Sequence, residues 1–131
     1  MPQIVHEIRL AGPWEQRSND ADDWQRTRLP YQIDAATSDH CLRRKFHRPS
    51  GLEAASRLVL ALYADISLQE VVINQAVIEL TEQQDGASNP AIYLFDITAA
   101  AADFNTLEVR VSQPDDGKSH SLHEARLQIV E

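Results

Sequence analysis

The apolar positions recur with period two along most of the chain, most clearly over residues 68–80. Val71 and Ile73 alternate with Val72 up to Asn74-Gln75, and Val77 and Ile78 restart the apolar run beyond it. Alternation of this kind marks a strand with one buried face. Asn tolerates the left-handed backbone that a two-residue hairpin turn requires. The stretch therefore predicts two short strands joined at Asn74-Gln75, with the rest of the chain added as strands around that hairpin.

The flanking segments follow the same pattern. Residues 3–11 put Ile4, His6, Ile8 and Leu10 on one face and Val5, Glu7 and Arg9 on the other, and Gly12-Pro13 ends the run. Residues 15–23 are polar and acidic and predict a loop. Residues 24–29 form a short strand stopped by Pro30. Residues 31–39, with Asp34, Thr37, Ser38 and Asp39 as turn formers, predict irregular chain. Over 41–47, Leu42, Arg44 and Phe46 alternate with Cys41, Arg43, Lys45 and His47, which predicts a strand with a wet face. Residues 57–63 and 91–97 are apolar on both faces, and 57–63 reads as a central strand. Between them, residues 82–90 read as a loop. Four alanines after Thr98, a capping residue type, predict one helical turn over 98–104. Residues 105–112 alternate, with Leu107, Val109 and Val111 inward. Residues 114–117 read as a turn, and 122–130 close the chain with Leu127 and Ile129 alternating with Arg126 and Gln128.

Eight or nine short strands at close spacing, with no room for a long helix, predict an all-β sandwich or barrel. No internal repeat or linker interrupts it. With four glycines in the chain, the turning falls to Asn and Asp.

Length and charge narrow the function classes. A chain of 131 residues reads as one domain, and that size buries about two thirds of its unfolded surface without disulfides or metal. The net charge of −8 repels phosphate, which argues against nucleic-acid and anionic-membrane partners. Cys41 is the single cysteine and has no internal partner, as suits a reducing compartment. The longest apolar run, residues 58–64, holds seven residues, well short of the roughly 18 that suggest a membrane span. No basic stretch followed by an apolar run opens the chain. A cytoplasmic location is the resulting expectation.

Several fragments in order carry a family resemblance. They are Leu10-Ala11-Gly12-Pro13-Trp14, Trp24, Leu29-Pro30, Arg43-Arg44-Lys45-Phe46 and the strand over 58–62. Val71-Val72-Ile73-Asn74, Phe95-Asp96-Ile97-Thr98 and the run from Asn105 through Leu107 and Val109 to Val111 follow. Together, over residues 8–130, they resemble the N-terminal jelly-roll domain of family-two glycoside hydrolases, the β-galactosidase and β-glucuronidase group. The resemblance implies a jelly-roll β-sandwich of antiparallel strands, galactose-binding domain-like, serving as an accessory to a separate catalytic barrel. Gln75 and Asp103-Phe104 stand where that family usually has glycine.

The candidate chemistry is weighed against that background. Glycoside hydrolysis needs two carboxylates about 5–10 Å apart across a sugar, and the barrel that carries them in the resembled enzymes is absent, so no catalysis is expected. No Gly-x-Ser-x-Gly elbow, phosphate loop or Gly-x-Gly-x-x-Gly motif occurs. Cys41, near His40 and His47, reads as a small strand residue rather than a nucleophile. His120 and His123, beside Asp115 and Asp116, suggest metal, but spacing of three puts them on opposite faces of a strand. Asp20, Asp22 and Asp23 would suit calcium or form a solvated acidic loop, and no cofactor is expected.

A sugar stacks its C–H face on a flat ring and hydrogen-bonds through its hydroxyls. Trp14 and Trp24, with Asp22, Asp23, Arg26 and Arg28, form the candidate ligand site. The competing reading makes both tryptophans core plugs at strand ends, and the resemblance favours it. Arg43, Arg44, Lys45, His47 and Arg48 form a basic cluster suited to an acidic sugar, an acidic partner or simply a wet sheet face. The expected function is a non-catalytic, carbohydrate-binding module. The alternative is a protein-interaction or oligomerisation module, with a homodimer formed through free sheet edges.

Overall fold

The computed structural model describes residues 3–18, 23–32, 39–50, 52, 54–84, 90–112 and 120–131. Twelve strands lie within them: β1 Ile4–Arg9, β2 Trp14–Arg17, β3 Gln25–Thr27, β4 Tyr31–Gln32, β5 Asp39–His47, β6 Arg57–Ala64, β7 Ser67–Ile73, β8 Ala76–Val77, β9 Glu82–Gln84, β10 Ala91–Asp96, β11 Phe104–Ser112 and β12 Ser121–Val130. Four of them are only two or three residues long. Seven of the remaining eight are strands that the alternation predicted; the other, β2, falls where residues 15–23 were expected as loop.

They form two antiparallel sheets. One runs β1-β12-β6-β10-β9, with β4 paired to the start of β12; the other runs β3-β2-β5-β11-β7-β8. Inward residues of both sheets share one core, which includes Trp14, Leu42, Leu60, Leu62, Ile73, Leu107, Val109 and Leu127. The fold is thus a β-sandwich. Strand β6, apolar on both faces, sits between β12 and β10, and even its outward Ala61 is fully buried. Among the described residues no helix is long and apolar enough to cross a membrane.

Three further expectations change, and one, the single turn at the alanines, is met. The hairpin at Asn74-Gln75 forms, with positive φ at both residues (52° and 71°), but β8 is a sheet edge and the fold is not built around it. Residues 82–84, expected as loop, pair with β10 from Gln84↔Ile92 to Glu82↔Leu94. The alanine segment closes a single turn, Ala100 and Ala101 N–H both donating to Ile97 O (3.1 and 3.0 Å). It goes no further as helix because Asn105 Oδ1 takes the Ala102 N–H at 2.7 Å. In β1 the register slips between Ile4 and His6, so Ile4 and Val5 stay about half exposed and the apolar face is covered only at Ile8 and Leu10.

Candidate functional site

The two tryptophans lie on opposite sides of one sheet. Trp14, at the start of β2, points inward and is 0% exposed, its Nε1–H donating to Leu10 O at 3.0 Å. Its ring has no face open to a ligand. Trp24 precedes β3 and is half-buried on the outer side. The guanidinium carbons of Arg17 and Arg43 lie over its ring, 4.3 and 4.1 Å from the centroid, so cation–π contacts occupy surface a sugar would need. Arg43 is itself held by Glu15, through Nε at 3.0 Å and Nη2 at 2.8 Å. Asp23, Arg26 and Arg28 are exposed around it. Asp22 and Asp20 lie outside the described residues. The sequence-derived set is therefore not one platform: Trp14 is core, and Trp24 belongs to a surface arginine stack.

A different place has the shape of a site. Strand β2 pairs with β5 only as far as Glu15↔Arg43, so among the described residues no strand pairs with residues 44–47 of β5 on that side. There a cleft of about 760 Å³ opens between the sheets, lined by Ile8, Arg9 and Leu10 near β1, residues 44–47 of β5, residues 104–106 of β11 and Leu127. Phe104 at its rim is 74% exposed. His47, its cross-strand partner, meets it edge-on with ring centroids 4.9 Å apart.

Arg44 occupies an inward position of β5, in step with Leu42 and Phe46. It reaches the crossover from β1 to β2, its Nε donating to Ala11 O at 2.8 Å, and its Nη1 donates to Lys45 O. Burial lowers its pKa from the ordinary guanidinium value. The floor is set by Asn105, 3% exposed. Its amide donates to Ala102 O at 2.8 Å and accepts from Asn74 Nδ2 at 2.9 Å, tying the hairpin to the turn before β11. Phe104 escaped the sequence reading because alternation starts only at Asn105. Its one signal was an aromatic standing where glycine is usual in the resembled family.

At the opposite end of the sandwich, Tyr31 of β4 reaches across the core. Its hydroxyl lies 2.7 Å from His40 Nδ1 and 3.3 Å from Gln16 Oε1, and burial raises its pKa. His120 and His123 do come to one side. The register of β12 against β6 slips between Leu122 and Glu124, and the bulge swings His123 to within 3.5 Å of Asp65 Oδ1, while His120 Nδ1 meets Asp65 O at 2.9 Å. No group of three metal-ligating side chains forms among the described residues, and Asp115 and Asp116 lie outside them. Cys41 is buried and free of disulfide. His40 and His47 do not converge on it, since one points inward and the other outward.

A second groove, of about 790 Å³, crosses the outer face of the β1-β12-β6-β10-β9 sheet. Ile4, Val59, Leu94 and Val130 line it, with Arg57, Glu82, Asp96 and Glu131 among its polar groups.

No family model matches the chain, and no curated protein matches it in sequence. Solved structures do match its fold. The FMN-binding β-glucuronidase of Facaelibacterium prausnitzii L2-6 superposes with a TM-score of 0.73 at 21% identity, over 95% of this chain and 22% of that one. The β-D-glucuronidase of Dictyoglomus thermophilum gives 0.73 at 13% identity, over 95% and 28%. The β-D-mannosidase of the same organism gives 0.65 at 17%, over 84% and 16%. The chain thus has the fold of one domain of these enzymes and spans under a third of their length.

Proposed function

We propose that the protein is a non-catalytic accessory module, and that it binds carbohydrate in the cleft between β1 and β5. The observation that carries this reading is Phe104: a large ring, mostly exposed and steadied by His47, at the rim of a concave pocket with polar groups. Binding pockets combine an apolar surface with a few placed polar groups in this way. The fold shared with domains of glycoside hydrolases agrees with it. Hydrolysis by such enzymes needs a pair of carboxylates flanking the sugar bond, and the described cleft lining contains no Asp or Glu, so the cleft is suited to holding a sugar rather than cutting it.

The test is a glycan panel on the intact domain with Phe104→Ala beside it. Phe104 is exposed, so the variant is expected to fold. Loss of a stacking ring is expected to weaken binding about tenfold, from stacking worth about 1 kcal/mol together with lost contact area. Binding that is untouched in Phe104→Ala would remove the cleft, and a silent panel would remove the carbohydrate reading.

The groove on the outer face of the other sheet favours a second reading, a self-association module. Among the described residues its rim carries one cation, Arg57, and three acids, Glu82, Asp96 and Glu131. A two-fold contact would set Arg57 of each copy against acids of the other.

A further inference from the structure

Resting on the carbohydrate reading, we infer that the cleft selects an anionic sugar, its carboxylate or sulfate group set against Arg44 and Lys45 and its ring face against Phe104. The charge distribution argues for this. The chain holds 20 Asp and Glu against 12 Lys and Arg, yet the cleft is lined by Arg44, Lys45 and His47, and by Arg9, which Glu124 already pairs, with no acid among its described lining residues. A local reversal of sign in a low-dielectric cleft concentrates ligands of the opposite charge.

Arg44 is the centre of the argument. Four of the other arginines on the sheets have close carboxylate partners: Arg43 with Glu15, Arg126 with Glu7 and Glu124, Arg57 with Asp96, Arg9 with Glu124. Arg44 is half-buried, and its hydrogen-bond acceptors are two backbone carbonyls, Ala11 O and Lys45 O. Carbonyls orient a guanidinium but do not neutralise it. Of the five N–H groups that a guanidinium presents, these bonds leave others for a planar, charged acceptor, the geometry in which arginine binds carboxylate and related oxyanions most strongly. Lys45 adds a second cation at the exposed rim.

The experiment titrates the intact domain at low salt with three galactose-based trisaccharides: one of galacturonic acid, one sulfated and one neutral. At least one anionic ligand is expected to bind ten times or more tighter than the neutral one, and the preference is expected to shrink as salt rises. The carboxylated and sulfated arms say which group the cleft takes. Arg44→Gln is expected to bring the ratio of anionic to neutral affinity close to one. Because Arg44 also ties β5 to the crossover, Lys45→Gln is made as well; it is exposed and is expected to reduce the same ratio severalfold in a folded protein. Equal affinity for charged and neutral trisaccharides, or a ratio unchanged in both variants, would overturn the inference while leaving a sugar site in place. Failure of all three to bind folded protein would overturn the site with it.

Discussion

A carboxylate at the end of β10 shows how single side chains fasten this sandwich. Asp96 Oδ1 accepts from the Thr98 amide at 3.0 Å and the Thr98 hydroxyl at 2.6 Å. Thr98 Oγ1 in turn accepts the Leu58 N–H at 2.9 Å. Burial on its own would raise the Asp96 pKa, but the two bonds from Thr98 and the charge of Arg57 outweigh it and leave the carboxyl below its ordinary value. A pKa depressed in the folded state adds stability above the unfolded value of about 3.9, and that stability is lost as pH falls through the folded value. Asp96→Asn is expected to cost about 1 kcal/mol at neutral pH and to make stability fall less steeply on acidification. Urea unfolding at a series of pH values checks this, and an acid limb as steep as that of the unaltered protein would contradict it. The Asp96-Ile97-Thr98 fragment had suggested a sharp strand end from the sequence alone, because Asp and Thr bond backbone two residues away. The fates of Trp14 and Trp24 were not readable in that way. Both are aromatic residues at strand margins, and only the pairing of Trp14 with Thr27 and the Arg17–Trp24–Arg43 stack separate core from surface.

Among the elements, the edge hairpin carries the clearest local conflict. Both central residues have positive φ, the backbone of a type I′ turn, in which Asn-Gly is favoured. Asn74 suits its place and also bonds across to β11, its Oδ1 accepting the Thr106 N–H at 2.9 Å. Gln75 carries a Cβ in a conformation that costs a non-glycine residue about 1–2 kcal/mol. Gln75→Gly removes that strain but loosens the unfolded chain by about 0.4–1 kcal/mol. A net gain of about 0.5–1 kcal/mol is therefore expected, seen as a higher urea midpoint with an unchanged slope; a lower midpoint would mean that the Gln75 side chain contributes more than its strain. The bulge in β12 is the opposite case. Period-two reasoning placed His120 and His123 on opposite faces, and one slipped residue brought both to Asp65. Bulges leave little trace in sequence, because the residue that fails to pair differs from its neighbours only in what its partner strand does.

For the whole molecule, the two proposed readings rest on different clefts, which differ in what would bind. The end cleft is cationic with an exposed ring. The outer-face groove has an apolar floor under mixed charge. If the second reading holds, sedimentation at rising concentration is expected to show a dimer that Leu94→Glu abolishes without unfolding. A monomer throughout would remove that reading and leave the groove without a role in self-association. The likeness to single domains of much longer glycoside hydrolases concerns the fold, since identities of 13–21% accompany the TM-scores. The order of short fragments from Leu10 to Val111 pointed to the same architecture because each fragment does a structural job, such as Trp14 filling the core and Asn105 anchoring the hairpin.

The sequence by itself determined the all-β class, seven of the eight longer strands, most of their inward faces and the hairpin turn. These follow from alternation and turn chemistry, which act between residues near each other in the chain. The tertiary structure decided where β2 stops along β5, which tryptophan is enclosed, how His123 turns, and that Phe104 stands exposed beside Arg44. Those outcomes depend on pairing between segments far apart in the chain, and a residue's type does not say which distant strand will cover it or leave it open.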